Sequence, residues 1–282
     1  MSANQPRLLS SFNATSLTIT RVEQLLEAVQ NQTVGVITIE GFLSDVPGFR
    51  LAPHQEIRGI SNERSGLKFR ASSDGIEMSS DNSISCLTLV TSPDRCAIWN
   101  DDSVNNLGPV TTYGPNDMAL DNWGTVDRWF AAAKVTTFGP SGIGFVNFGL
   151  TREIAIRAPI ETFGRGARGF NIYAGSVEKA EFDRIVTHGD GAVGIQISQP
   201  TGAIFVRRGI ETFGGTGPSL VKGVIQQLPA IPLSIKPGAR VDTIQVDGGL
   251  KTHTAGIVPL EQLGSIRNLI VSGGSGPDAN NQ

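Results

Sequence analysis

The sequence predicts an all-β solenoid, in which short strands from successive turns of the chain stack on one another. The first observation is a repeat of 25 residues, marked by five threonines at Thr112, Thr137, Thr162, Thr187 and Thr212. The second is that an aromatic residue or a histidine follows each of these threonines, and a glycine comes next. The third is the length of the unit, which holds short strands but no helix and can bury its apolar side only against neighbouring units.

Two further columns of the same frame indicate where the strands lie. An aliphatic residue occurs two positions before each threonine, at Val110, Val135, Ile160, Ile185 and Ile210. An apolar residue that we expect in the core occurs eight positions after it, at Leu120, Phe145, Phe170, Ile195 and Leu220. Segments such as GFNIY (169–173) alternate in polarity and are rich in β-formers. Because parallel strands lie about 4.8 Å apart, each column should become a ladder of like residues along a rod.

The coil length, the stacked columns of threonine, aromatic residues and asparagine, and segments such as GIEMSSDNSISCLTLVTS (75–92) resemble the right-handed parallel β-helix of the pectin-lyase-like superfamily. The resemblance covers roughly residues 36–272 and lies in the spacing. HGDGAVGIQIS (188–198) is faintly similar to a segment of polygalacturonases, which belong to this superfamily, but their NTD and RIK motifs have no counterpart. The resemblance implies a right-handed parallel β-helix and a carbohydrate ligand.

The N-terminal segment, residues 1–34, is predicted to contain a capping α-helix over residues 21–30. The stretch Thr20–Glu23 matches a capping box, and apolar residues follow at helical spacing, at Val22, Leu25, Leu26 and Val29. A helix across the end of a solenoid covers core residues and strand edges that would otherwise be exposed. The parallel β-helix should then extend over residues 35–272, followed by a flexible tail, GGSGPDANNQ (273–282).

Two parts of the β-helix depart from the regular frame. Between residues 42 and 108 the spacing is looser, and NDDSVNNLG (100–108) is predicted to be a loop thrown out from the coil. Towards the other end the frame is interrupted by prolines, so the last coils should be irregular: Pro229, Pro232, Pro237 and Pro259. At about 24 residues per turn we expect about ten coils and a rod about 45 Å long.

Composition narrows the classes of partner. The formal net charge is −3, which gives no general reason to expect nucleic acid or an anionic membrane. No run of about 18 apolar residues occurs, and the first residues lack the basic and apolar stretches of an ordinary secretory signal. Cys86 and Cys96 form no metal or redox motif, and the calcium-binding nonapeptide is absent, so neither a metal nor a cofactor is expected.

His188 is the candidate catalytic residue, because it occupies a column that is otherwise aromatic and can titrate near neutral pH. Arg165 and Asp190 share a neighbouring column one coil apart, and Asp183 and Arg184 lead into the same repeat. A base with a carboxylate partner, and an arginine that holds an acidic substrate, could abstract a proton next to a carboxylate, as uronate β-elimination requires. The alternative is structural: Arg165 and Asp190 form a salt bridge between coils, and His188 completes an aromatic stack.

A second column predicts a sugar-binding strip on an outer face. Trp123, Phe148 and Tyr173 recur two places after residues that should face outward. Polar or charged residues complete the predicted substrate-binding set: Asp121, Asn171, Gln196 and Arg168. Sugar rings stack on aromatic faces, whereas amides and carboxylates bind hydroxyl groups. The alternative is that these aromatic residues pack under a loop or at a corner of the coil.

Other polar residues carry weaker hypotheses. Asn122 and Asn147 are predicted to form a structural amide ladder between coils. Asp101 and Asp102 could serve a glycoside hydrolase if another acid lay across a groove, or could form a solvated turn. His253 is interpreted as an isolated surface or capping histidine.

The sequence therefore favours a carbohydrate-associated protein that binds or acts on an acidic polysaccharide; as an enzyme it would be a polysaccharide lyase or resemble a glycoside hydrolase. Two alternatives remain open. One is a non-catalytic, glycan-binding or adhesive β-helix, and the other is a structural solenoid whose weakly charged face forms a homo-oligomer interface. Since a fold does not fix a function, the choice depends on the geometry of the site.

Overall fold

The structure is a computed structural model that describes residues 15–61, 63–71, 73–79, 82–90, 96–100, 103–273 and 275–277. It is 57% strand and 4% helix and forms a parallel β-solenoid of about nine turns, which confirms the predicted fold class. The right-handed sense of the coil stays a prediction. The flexible tail, residues 273–282, lies largely outside the described residues.

The described residues form one helix and 32 strands. In chain order they are β1 (Thr15–Ile19), α1 (Val22–Gln30), β2 (Val34–Ile39), β3 (Gly41–Val46), β4 (Phe49–Arg50), β5 (Glu56–Gly59), β6 (Ser65–Phe69), β7 (Ile76–Met78), β8 (Asn82–Ser85), β9 (Thr88–Val90), β10 (Cys96–Asn100), β11 (Ser103–Asn106), β12 (Val110–Thr112), β13 (Met118–Asn122), β14 (Thr125–Ala131), β15 (Val135–Thr137), β16 (Ile143–Asn147), β17 (Leu150–Ile156), β18 (Ile160–Thr162), β19 (Arg168–Ile172), β20 (Ser176–Phe182), β21 (Ile185–Thr187), β22 (Val193–Ile197), β23 (Thr201–Val206), β24 (Ile210–Thr212), β25 (Thr216–Val221), β26 (Val224–Pro229), β27 (Leu233–Ile235), β28 (Arg240–Val246), β29 (Leu250–Thr252), β30 (Leu260–Gln262), β31 (Ser265–Val271) and β32 (Ser275–Pro277).

Each regular turn contributes one strand to each of three parallel sheets. The eleven-stranded sheet has the order β1-β2-β5-β8-β11-β14-β17-β20-β23-β28-β31. The nine-stranded sheet has the order β4-β7-β10-β13-β16-β19-β22-β27-β30. The seven-stranded sheet has the order β12-β15-β18-β21-β24-β29-β32, and a three-stranded sheet, β3-β6-β9, precedes it. Strands β10 and β11 occupy most of the region predicted to be a loop near residue 100, so that prediction is wrong.

The 25-residue frame is the register of these sheets. Thr137 pairs with Thr162, and both side chains are fully buried, so the predicted threonine column is confirmed. The predicted amide ladder is confirmed as well, because Asn122 Nδ2 donates a hydrogen bond of 3.1 Å to Asn147 Oδ1. Thr151 Oγ1 donates to the same oxygen at 2.7 Å, so the buried amides fix the corner of the coil.

The apolar core column also follows the frame, with one exception. Phe145, Phe170 and Ile195 stack on successive strands and are fully buried. The next residue in this ladder is Leu233 rather than Leu220, so the prediction for Leu220 is wrong. Leu220 lies instead in a hairpin that the regular frame does not contain.

Helix α1 covers the first turns, as predicted, but its start differs from the prediction. It packs against β1 to β4 and buries Leu25, Ala28 and Val29. The predicted capping box with Glu23 is wrong, because Gln24 Oε1 accepts hydrogen bonds from the Thr20 N–H at 3.2 Å and the Thr20 hydroxyl at 3.3 Å. Strand β1 also precedes the helix and pairs with β2, so the solenoid begins before residue 35.

The hairpin β25–β26 explains the break in the frame. Thr252 follows Thr212 in the threonine column after 40 residues, because an insertion adds 15 residues to the usual 25. The 25-residue step then returns, as Arg240 pairs with Ser265. The prediction of irregular last coils is therefore wrong: one insertion shifts the frame, and regular turns follow it.

Candidate functional site

Six stacked rings form the longest aromatic feature on the outside of the solenoid. Neighbouring ring centroids are 4.0–5.2 Å apart, and the planes are within 3–12° of parallel. We call this set the ring ladder: Tyr113, Phe138, Phe163, His188, Phe213 and His253. His253 was expected to be isolated, but the 15-residue insertion brings it into this column, stacked 4.0 Å from Phe213.

The rings of the ladder present their edges to solvent. Each inner ring has a neighbour on both faces, yet Phe138 is 44% exposed and Phe163 is 38% exposed. The edge of an aromatic ring carries the positive part of its quadrupole. Five steps of about 4.8 Å make a row about 24 Å long, so the ladder is a straight strip with a weakly positive rim.

His188 belongs to a cluster of three side chains beside the ladder. Its Nε2 lies 2.9 Å from Glu161 Oε1, and Lys134 Nζ contacts the other oxygen of the same carboxylate. Burial acts to raise the pKa of Glu161, but the hydrogen bonds from Lys134 and His188 outweigh it and hold the pKa below its usual value. The carboxylate therefore stays ionised and orients the half-buried imidazole.

A second cluster repeats this arrangement two turns further along. Arg184 Nη2 lies 3.0 Å from Glu211 Oε1, and His253 Nε2 lies 3.4 Å from Glu211 Oε2. The glutamates share one column, and the register places Val186 between them, as the sequence predicts. In both clusters a cation and a ladder histidine hold one glutamate, so the chain builds the same unit twice.

The five predicted catalytic residues do not form a single site. Arg208 holds Asp183, with Nε 2.8 Å from Oδ1, and Arg184 belongs to the Glu211 cluster. Asp190 is exposed, and its Oδ1 accepts a hydrogen bond of 2.7 Å from the Gly215 N–H.

Arg165 is also exposed, one coil from Asp190. The carboxylate partner of His188 is Glu161, which the sequence hypothesis did not include. Its position in the outward column of the preceding turn, two residues before Phe163, was the available signal. Asp101 and Asp102 lie outside the described residues.

The predicted sugar-binding strip is stacked on itself. The Trp123 and Phe148 rings are 3.9 Å apart, and the Phe148 and Tyr173 rings are 5.6 Å apart and nearly parallel. Trp123 Nε1 donates a hydrogen bond of 2.5 Å to Asp121 Oδ2. Because the faces between these rings already cover one another, a sugar cannot stack there, and the expected open platform is wrong in this respect.

The polar residues of that strip are buried, which corrects the expectation that they face solvent. Asp121 and Asn171 are fully buried, Gln196 is 3% exposed and Arg168 is 1% exposed. The Arg168 guanidinium donates to Ser219 Oγ at 3.0 Å and also contacts Gly166 O and Gln196 Oε1. Burial lowers the pKa of Arg168, and Tyr173 acts in the opposite direction. Strand β25 therefore shields this part of the face.

The site and fold define a parallel β-solenoid with an exposed ring ladder and two cation–glutamate–histidine clusters. No family model, curated protein or solved structure matches this chain significantly. Within the part of the chain that the structure describes, no group of three metal-ligating side chains occurs. The described residues also include no helix with the length and apolar character needed to span a membrane.

Proposed function

We propose that this protein is carbohydrate-associated and binds an extended acidic polysaccharide along the ring ladder. The observation that carries the proposal is the straight row of outward ring edges, which includes two imidazoles. Ring edges attract anionic groups, and histidine adds a positive charge when it is protonated. A polymer with a regular row of carboxylates suits this strip better than a compact ligand does.

The charges beside the ladder support the same choice. Glu161 is held by Lys134, and Glu211 is held by Arg184, so neither carboxylate presents an uncompensated negative charge. The exposed Arg165 adds a cation two residues from the ring of Phe163. An acidic ligand therefore meets little repulsion on this face.

Lyase chemistry is a second candidate, favoured by the contact between His188 and Glu161. If Nε2–H donates to Glu161, Nδ1 is the nitrogen that can accept a proton. The base would remove the proton next to a uronate carboxylate, and the electron pair would form a double bond as the glycosidic C–O bond breaks. Arg165 would bind the carboxylate of the substrate.

Retention on immobilised polyuronates tests the binding proposal, with neutral glucans as the reference ligand. We expect wild type to bind polyuronates alone, and the double variant Phe138→Ala/His188→Ala to bind at least about tenfold more weakly, since each lost contact contributes about 1 kcal/mol or more. Trp123→Ala alters the other aromatic stack and is the matched control. Equal retention on neutral and acidic polymers would contradict the proposal.

The lyase candidate has a separate readout, the unsaturated uronate product. Turnover by wild type that falls more than about 100-fold in Glu161→Gln would support an acid–base role for the His188 pair. Binding without any product would remove the lyase candidate and leave the binding proposal intact.

A further inference from the structure

Strand β26 is the most exposed strand on the hairpin, and it stands away from the solenoid. Val224 is 60% exposed and Ile225 is 63% exposed, and Gln226 and Gln227 are exposed as well. The companion strand β25 instead buries Gly217 and Ser219 against the coils. The hairpin therefore docks through one strand and offers the other to its surroundings.

The free edge of β26 carries backbone groups that are ready to pair. A two-residue turn, Lys222–Gly223, closes the hairpin, with φ angles of 50° and 79°, so Val221 and Val224 form the first hydrogen-bonded pair. Pairs alternate along an antiparallel ladder, so Ile225 and Gln227 direct their N–H and C=O groups away from β25. Among the described residues, β25 is the only strand that pairs with β26.

The hairpin is held in place, so this edge has a fixed position. Arg168 Nη2 donates to Ser219 Oγ at 3.0 Å, and Ser141 Oγ accepts a hydrogen bond of 3.1 Å from the Leu220 N–H. These contacts come from two different turns of the solenoid. A preorganised edge loses little conformational entropy when it pairs.

We propose that β26 pairs antiparallel with β26 of a second copy of this chain, which creates a four-stranded sheet across a twofold axis. The alternation of the ladder requires Ile225 to face Gln227 of the second copy, which places Gln226 opposite Gln226 of that copy on the axis. Val224 then lies opposite Leu228 of the second copy. Pro229 has no N–H and ends the pairing.

The charge of the strand selects a second copy as the partner. A twofold axis always places a residue near its own equivalent, so a charged edge would repel itself. Residues 224–229 are Val, Ile, Gln, Gln, Leu and Pro, without a charge. Two glutamine amides on the axis can hydrogen-bond to each other. The interface is small, so the dimer should be weak and reversible. This inference does not depend on the proposed ligand.

Charge reversal at the axis tests the proposal by sedimentation of the full chain. We expect wild type to be in a concentration-dependent monomer–dimer equilibrium, and Gln226→Lys and Gln226→Glu each to be monomeric. An equimolar mixture of the two variants should restore the dimer, because Lys then faces Glu. Val258→Lys, which changes an exposed residue elsewhere, is the matched control and should still dimerise.

A second variant separates pairing from folding. Ile225→Pro removes an outward N–H and leaves the bonds between β26 and β25 in place, so it should be monomeric with an unchanged circular dichroism spectrum. The proposal is wrong if wild type stays monomeric at every concentration at which it is soluble. It is also wrong if the dimer persists in both charge variants, or if mixing them restores nothing.

Discussion

The outer faces of the nine-stranded and seven-stranded sheets are built from the same repeat but differ in access. On the nine-stranded sheet β25 shields the polar side chains, and Arg168 is 1% exposed. On the seven-stranded sheet the ring ladder is open, and Tyr113 is 58% exposed. One insertion after Phe213 accounts for the difference. In a solenoid the coil determines the core, whereas insertions at corners determine which face can bind a partner.

The shielding hairpin fits the turns that it crosses. Its first strand passes Gly191 near Gly217, reaches Gly166 at Ser219, and then contacts Ser141 through Leu220. Its tip lies beside Asn116, so it spans three turns. Three coil steps cover about 14 Å, and the five residues from Gly217 to Lys222 cover about 16 Å in an extended strand. Strand β25 therefore runs along the axis of the rod.

The largest expected effect comes from the core that both faces share. Phe145 is fully buried and packs edge-on against Trp129 at 4.9 Å. Phe145→Ala should lower the free energy of unfolding by about 3–5 kcal/mol, because it leaves a cavity between turns. Denaturant unfolding measures the change. Phe148→Ala, near the same strand but half-exposed, is the control, and an equal loss in both variants would contradict a shared core.

The open face should respond to the loss of one inner ring. Phe163 stacks on Phe138 at 4.9 Å and on His188 at 4.5 Å. Phe163→Ala should cost about 1–3 kcal/mol, since two aromatic contacts of about 0.5–1.5 kcal/mol each are lost. Tyr113→Ala removes a ring for which the structure records one stacked neighbour, so it should cost about half as much. A larger cost for Tyr113→Ala would show that the rings do not act through stacking.

Removal of the hairpin should convert the covered face into an open one. Deletion of Thr216–Leu228 restores the seven-residue step that leads from His188 to Ile195. The solenoid should remain, at a cost of about 1–2 kcal/mol, because lost hydrogen bonds are partly offset by a shorter loop. Hydrogen exchange should rise around Arg168 and stay constant around Phe163. Exchange that rises at both places would contradict the independence of the two faces.

Sequence reasoning could predict what repeats and could not place what interrupts the repeat. The threonine, core and asparagine columns follow directly from the 25-residue spacing. Leu220 was misassigned and His253 was overlooked for the same reason: a 15-residue insertion shifts the frame after Phe213. The burial of Arg168 depends on a contact with Ser219, 51 residues away, which periodicity does not reveal.

The smallest expected effect is the acid sensitivity of the open face. The pKa of Glu161 is below its usual value because hydrogen bonds from Lys134 and His188 outweigh the effect of burial. A lowered pKa stabilises the folded state above the unfolded-state value of about 4.3, and this contribution disappears as the pH falls further. The contribution should be less than about 1 kcal/mol, since water screens a partly exposed pair.

Glu161→Gln isolates this term. The melting temperature of wild type should fall more steeply between about pH 5 and pH 3 than that of the variant, because only wild type loses the carboxylate pairing there. Glu178→Gln, at a glutamate whose side chain is 70% exposed, is the matched control and should follow wild type. Parallel curves for Glu161→Gln and wild type would mean that the cluster contributes nothing to stability, so that its effect on ligand binding would have to be measured directly.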